Sequence, residues 1–324
     1  MKLRLSGAGR AAAGWAAACS LLFCTAGLAQ SESQGNASSA PVVLTSVAPL
    51  YSLTALLLRD TGVVVQNVPP RPRGLSTQAS YFKARGANLA EDLQSATAVV
   101  GMAQLWEGDP LYPFVRAANV RVVPVDATAY WGGAKEGVSV IRTADGAVSP
   151  HFWLSVTNVT RSADIVAADL LRLFPEQAGV IEENRLQLKR TLLALKAEYD
   201  AKFARVENAA VLALADEFVY LTADFSLFVD GYEVKQDADW LEEDLRQLEE
   251  RLQQENLPVV LHKWTPEERI LDAIRKGGAT LAVLSSGETP RPVEDVLPSD
   301  GLLQLLRRNL EALHQAFCAK DENC

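Results

Sequence analysis

Leu188, Leu192, Leu195, Tyr199, Phe203 and Val206 recur at steps of four, three, four, four and three. That spacing draws a single apolar stripe along one helix face, and its length limits the fold more than any other feature. Measured from Pro175, a residue suited to the first turn of a fresh helix, the stripe runs for about 45 Å at 1.5 Å per residue. A small domain is narrower than that. The stripe therefore predicts a rigid strut between two folded halves, with a kink or a short-plus-long helix pair at Pro175. Residues 162–206 are the expected connecting helix.

On both sides of this segment, short β-rich runs alternate with helical stretches. Val42–Ser46, Val63–Val68, Ala98–Gly101 and Val120–Val123 read as strands, with helices over Leu50–Arg59, Asn88–Ser95 and Leu111–Ala118. After the strut, Ala210–Leu214, Leu227–Val229, Leu257–Leu261 and Leu281–Leu284 read as strands, and Leu302–Phe317 as a closing helix. Unbroken apolar strands separated by helices imply parallel sheets covered on both faces. The expected fold class is α/β. It has two lobes, each a mostly parallel sheet flanked by helices, over residues 41–161 and 207–324.

Charge and histidine content narrow the function. The 324-residue chain has a formal charge of -9, the wrong sign for neutralising phosphates, so nucleic acid is not an expected partner. It holds three histidines, His151, His262 and His314, so a site needing three imidazoles must use them all. His314 falls on the closing helix and reads as a surface residue. Lys2, Arg4 and Arg10 precede the apolar run Ala11–Leu28, and Gly27-Leu28-Ala29 offers small residues for cleavage. Residues 1–29 therefore read as a secretory signal peptide and residues 30–40 as a disordered leader. Phe23 is too bulky before Cys24 for the usual lipid-anchor signal, which favours a free periplasmic protein. Cys318 and Cys324 then remain, and an oxidising compartment favours a disulfide between them over a metal-binding dithiol.

Four segments in a fixed order carry a family resemblance. Thr45-Ser46-Val47-Ala48-Pro49-Leu50-Tyr51, Ala96-Thr97-Ala98-Val99-Val100-Gly101, Ser149-Pro150-His151-Phe152-Trp153-Leu154 and Asp216-Glu217-Phe218-Val219-Tyr220-Leu221 surround the strut. Together they resemble the zinc/manganese solute-binding proteins of metal ABC importers. The resemblance implies a periplasmic, monomeric receptor that captures zinc, manganese or a metal complex between its lobes and delivers it to a membrane permease. It also implies three histidines and one carboxylate as ligands. Only His151 matches such a position. The first histidine falls near Tyr81, the third at Ala215 and the carboxylate near Ser285, and the His-rich loop of many zinc members is missing.

Either the metal ligands have moved or the chain has lost metal binding and acts as an accessory protein of the envelope. Relocation has a basis, because parallel sheets bind ligands beyond the C-terminal ends of their strands. His262 follows one strand directly, Asp216 and Glu217 follow another, and Glu288 trails a third. His151, His262, Asp216, Glu217 and Glu288 are thus the candidate ligands. The first four have plainer readings: a structural histidine for His151, a strand-end residue for His262, and helix-start acids favoured by the dipole for Asp216 and Glu217. No nucleophile elbow, Walker motif, dinucleotide fingerprint or His-Glu-x-x-His occurs, so an enzyme is not expected. The cysteine reading gives the first test. Thiol titration of the unfolded, unreduced mature protein should find no reactive thiol; two per chain would contradict the disulfide.

Overall fold

In the computed structural model, residues 40–89, 93–133, 135–143, 145–290 and 297–319 are described. The expected signal peptide, nearly all of the leader, and Cys324 lie outside the described residues. The valines and leucine of Val42–Thr45 form β1. The chain continues through α1 (Ala48–Leu57), β2 (Val64–Asn67), α2 (Leu75–Leu89), β3 (Ala96–Gly101), α3 (Leu111–Ala118) and β4 (Val123–Asp126). These strands are parallel, in the order β2-β1-β3-β4. Two helices follow, α4 (Val156–Leu173) and α5 (Ala178–Phe203). The second half repeats the plan with β5 (Ala210–Ala213), α6 (Val219–Asp224), β6 (Phe228–Tyr232), α7 (Glu242–Gln254), β7 (Val259–His262), α8 (Glu268–Lys276), β8 (Thr280–Val283) and α9 (Gly301–Cys318). Its sheet is parallel too, in the order β6-β5-β7-β8.

Alternation along the strands explains the layers. Val43, Ala98, Val100 and Val125 point into one core, while Leu44, Val99 and Ala96 point to the opposite face with Phe82, Leu111 and Val115. In the second sheet Val211, Val259 and Leu261 join the first core, and Leu212 and Val260 pack with Leu245, Leu248, Ile270 and Ile274. Each sheet thus has a private outer core. The inner core is common to both halves, because it also holds Leu188, Leu192, Leu195, Tyr199 and Phe203 of α5.

The connecting segment is a hairpin of two helices. Proline lacks the N–H to continue α4, so the chain breaks at Phe174 and passes through a short turn, Pro175–Gln177, into α5. Asp164 of α4 accepts from Lys189 of α5 at 2.6 Å and also pairs with Arg185, which fixes the two helices side by side. The 26 residues of α5 span about 39 Å. Polar ties join the halves around it. The Asn184 amide of α5 donates to Leu57 O (3.1 Å) and Arg59 O (2.7 Å) at the end of α1. Ser52 of α1 donates to Ser299 O at 2.7 Å and accepts from Leu302 N at 2.9 Å, capping α9.

Several expected boundaries shift. The last strand of the first half is Val123–Asp126 and not Val120–Val123: Asn119 ends α3 and its side chain turns the chain, leaving Val120 exposed. The helix placed at Asn88–Ser95 is Leu75–Leu89, and residues 93–95 form a turn. The strand read over Leu227–Val229 extends to Tyr232. His314 is half-buried, with its ring 6.0 Å from that of Phe203 and beside Cys318. A core shared across the halves should melt as one unit. Leu192→Ala, at a fully buried position of that core, should cost about 2–5 kcal/mol. Calorimetry should show one transition moved down, and not one half unfolding ahead of the other.

Candidate metal centre

The most local motif, Ser149–Leu154, is held by its own apolar residues. Phe152, Trp153 and Leu154 form a single tight turn and are all buried, and the Ser155 hydroxyl then caps α4 by accepting from Asn158 N at 3.0 Å. His151 is carried on the rim of this anchored turn, 8% exposed, with its ring edge-on to Trp153 at 5.3 Å. Its Nε2 meets Glu288 Oε1 at 2.6 Å.

Glu288 is held as firmly from the other half. Beyond β8, Ser285 is bracketed by Asn309 of α9, which accepts from its N–H at 2.9 Å and donates to its carbonyl at 2.8 Å. Trp153 Nε1 donates to Ser286 O at 2.8 Å, so the turn that presents His151 also pins the loop that presents Glu288. Gly287 has φ +81, and a Cβ there would stand 2.4 Å from Leu305 and 3.4 Å from Trp153 Nε1; only glycine fits. The second carboxylate oxygen of Glu288 accepts from Leu75 N, the first residue of α2, at 2.9 Å. Gln78, fully buried, ties that turn to β1 by donating to Ser46 O at 2.6 Å and Arg73 O at 3.3 Å. Burial raises the Glu288 carboxyl, but the His151 hydrogen bond and charge, the Leu75 N–H and the Lys263 charge outweigh it and hold it below the usual range.

Asp216, Glu217 and His262 gather at neighbouring strand ends, around a cation that the candidate set lacks. Lys263 follows β7 and forms an ion pair with Glu217. Burial, then the charge of Glu217, raises the Asp216 carboxyl, against a smaller lowering by Lys263. His262, only 2% exposed, lies against Trp264 with ring centroids 4.1 Å apart, and its Nδ1 has no hydrogen-bond partner. Burial lowers its pKa, helped by Lys263 and opposed by Asp237 and Glu217. The structure thus brings His151 and Glu288 into contact and leaves the other three as a separate group. Among the described residues, no three of His, Cys, Asp or Glu converge on a point that could hold a metal ion.

Residues 43–316 match the family described as zinc-uptake complex component A, periplasmic. The chain belongs to this family. Solved structures share its fold at low identity. An FpvC mutant from Pseudomonas aeruginosa is 18% identical, with a TM-score of 0.69, over 86% of this chain and all of that one. FpvC from the same organism in complex with Mn2+ is 19% identical, with a TM-score of 0.64, over 86% of this chain and 99% of that one. Zn(II)-bound AdcA from Streptococcus pneumoniae is 18% identical, with a TM-score of 0.65, over 86% of this chain and 58% of that one. No helix of the described residues is long and apolar enough to cross a membrane.

Within this family fold, the ligand positions inferred from the resemblance carry other chemistry. Tyr81 stands on α2 in the outer core, edge-on to Phe82 at 5.5 Å; the part of that region that reaches the centre is Gly74-Leu75. Ala215 is buried in the inner core, and Ser285 spends its backbone on Asn309. Lys263 and Trp264 were within reach of sequence reasoning, because the strand-end rule that selects His262 selects its neighbours equally. The lowered pKa of His262 has a consequence for stability. The unfolded imidazole binds protons near its ordinary value while the folded one resists them, so stability is full above that value and lost as pH falls below it. The melting temperature should therefore drop between pH 7.5 and 5, and by less in His262→Gln; an equal drop in both would refute this account.

Proposed function

We propose that this protein is the periplasmic solute-binding receptor of an ABC importer and takes its cargo, a divalent metal or a complex of one, at His151 and Glu288. One observation carries the reading. An imidazole nitrogen from the turn before α4 and a carboxylate oxygen from the loop after β8, one from each half, meet 2.6 Å apart. Zinc takes imidazole and carboxylate at about 2.0–2.2 Å, so two such donors on a tetrahedral ion stand about 3.3 Å apart. The pair must open by about 0.7 Å to admit it, a side-chain adjustment. Manganese, with its greater liking for oxygen, suits the same pair.

Two protein donors leave about half of a four-coordinate shell to be filled. Water can fill it, and so can donors that the cargo brings, which is why a metal complex belongs to the substrate class as much as the bare ion. The family supports this reading, and so do related structures named for bound Mn2+, Ni2+ and Zn(II). The family's description as part of a zinc-uptake complex supports delivery to a permease, which the reading assigns to a monomeric chain. The disulfide, the signal peptide and release into the periplasm belong to the same proposal.

Calorimetric titration of the mature chain, free of any histidine tag, tests it. Zinc or manganese should bind and should stabilise the folded state by about 2.7 kcal/mol at a hundredfold excess over Kd. His151→Ala and Glu288→Ala should each abolish binding while leaving the far-UV circular dichroism unchanged. Acidification should weaken binding, because the donors must be deprotonated. A wild-type protein that binds neither metal at micromolar concentration sinks the proposal.

A further inference from the structure

The segment that leads into His151 is a hairpin whose base is closed by a side chain from the other half. Residues 141–143 and 147–149 lie antiparallel, with Arg142 opposite Val148. Thr143 N donates to Ala147 O at 2.8 Å, and Ser149 N donates to Ile141 O at 3.0 Å. A regular antiparallel pair exchanges both bonds, so Ile141 N would in turn donate to Ser149 O. Here the Tyr220 hydroxyl is interposed. It accepts from Ile141 N at 3.0 Å and donates to Ser149 O at 3.2 Å. Tyr220 belongs to α6, in the second half, and is fully buried, as is Ser149. Only Pro150, whose ring fixes its φ, separates Ser149 from His151.

We propose that Tyr220 is a positioning residue of the metal centre: by holding the two arms of this hairpin apart, its hydroxyl sets where His151 stands opposite Glu288. This inference rests on the receptor reading. Without the hydroxyl, Ile141 N–H and Ser149 O are left to pair directly, since backbone groups away from water do not stay unpaired. The arms then close, Ser149 moves towards Ile141, and His151 moves with it. The hairpin keeps its hydrogen bonding while the centre loses its geometry. Groups that orient a ligand from outside the coordination sphere typically carry about 10–100-fold of metal affinity. One that acts through the backbone belongs at the lower end.

Zinc calorimetry and the visible spectrum of the cobalt(II) form, measured on the mature chain, test the assignment. Tyr220→Phe should bind zinc about tenfold more weakly and should change the cobalt bands, which report coordination geometry. Leu192→Ala, at a buried position of α5 outside the hairpin, should bind within about twofold of wild type and keep its spectrum, although it is the less stable protein. Coupling is reciprocal, so zinc should slow hydrogen exchange at the Ile141 amide of the wild-type protein by about the same factor of ten. That reading stands even where the phenylalanine variant fails to fold. Wild-type affinity and cobalt bands in a folded Tyr220→Phe protein, an equal loss in Leu192→Ala, or an Ile141 amide that zinc leaves unchanged each overturn the role of Tyr220. The receptor reading then stands wherever wild type binds zinc and His151→Ala does not. A wild-type protein that binds neither zinc nor cobalt overturns both.

Discussion

One face of α5 is buried against both sheets at once, and the rest of the molecule follows from that. Leu188, Leu192, Leu195, Tyr199 and Phe203 lie in the same core as Val43 and Val100 of the first sheet and Val211 and Leu261 of the second. Two cores joined only by a peptide linker could slide or rotate against each other. A common core cannot do so without opening apolar surface to water, at about 25 cal/mol per Å2. Side chains on opposite lobes can therefore meet with hydrogen-bond precision, as His151 and Glu288 do. The polar ties from Asn184, Ser52 and Trp153 add direction to what burial supplies in bulk.

The chemistry at the lobe junction is spare. One imidazole and one carboxylate touch, and a second group of acids is neutralised in part by a lysine from the neighbouring strand. On the proposed reading, two protein donors leave the rest of a metal's coordination to water or to the cargo. Outside the contact, burial lowers the pKa of His262.

Much of the architecture was legible because it is written in periodicity. The stripe of α5, the unbroken apolar strands and the break at Pro175 each reflect a local rule with few exceptions. The boundaries that moved were set by particular side chains instead. Asn119 turns the chain before β4, and the start of α2 is weakly patterned because its first turn faces Glu288 and a single glutamine anchors it. The site was legible in part. His151 stood out through the motif around it and Glu288 through its place after a strand. Their contact was not readable, since it joins residues 137 positions apart through a loop whose path Gly287, Asn309 and Trp153 decide. Lys263, which the strand-end rule reaches as readily as His262, went unselected because a lysine reads as solvent-facing charge until the fold pairs it with Glu217.

The hydrogen bond from Leu75 N to Glu288 has a bearing on denticity. One oxygen of the carboxylate is committed to the start of α2 and the other faces His151. A cation taken at this carboxylate meets a single oxygen, unless the helix gives up a backbone hydrogen bond. Large, oxygen-loving ions such as calcium draw on many ligands and often grip a carboxylate by both oxygens. Smaller transition ions are content with one. On the proposed reading, a backbone amide with no metal chemistry of its own would sort cations by the grip they require.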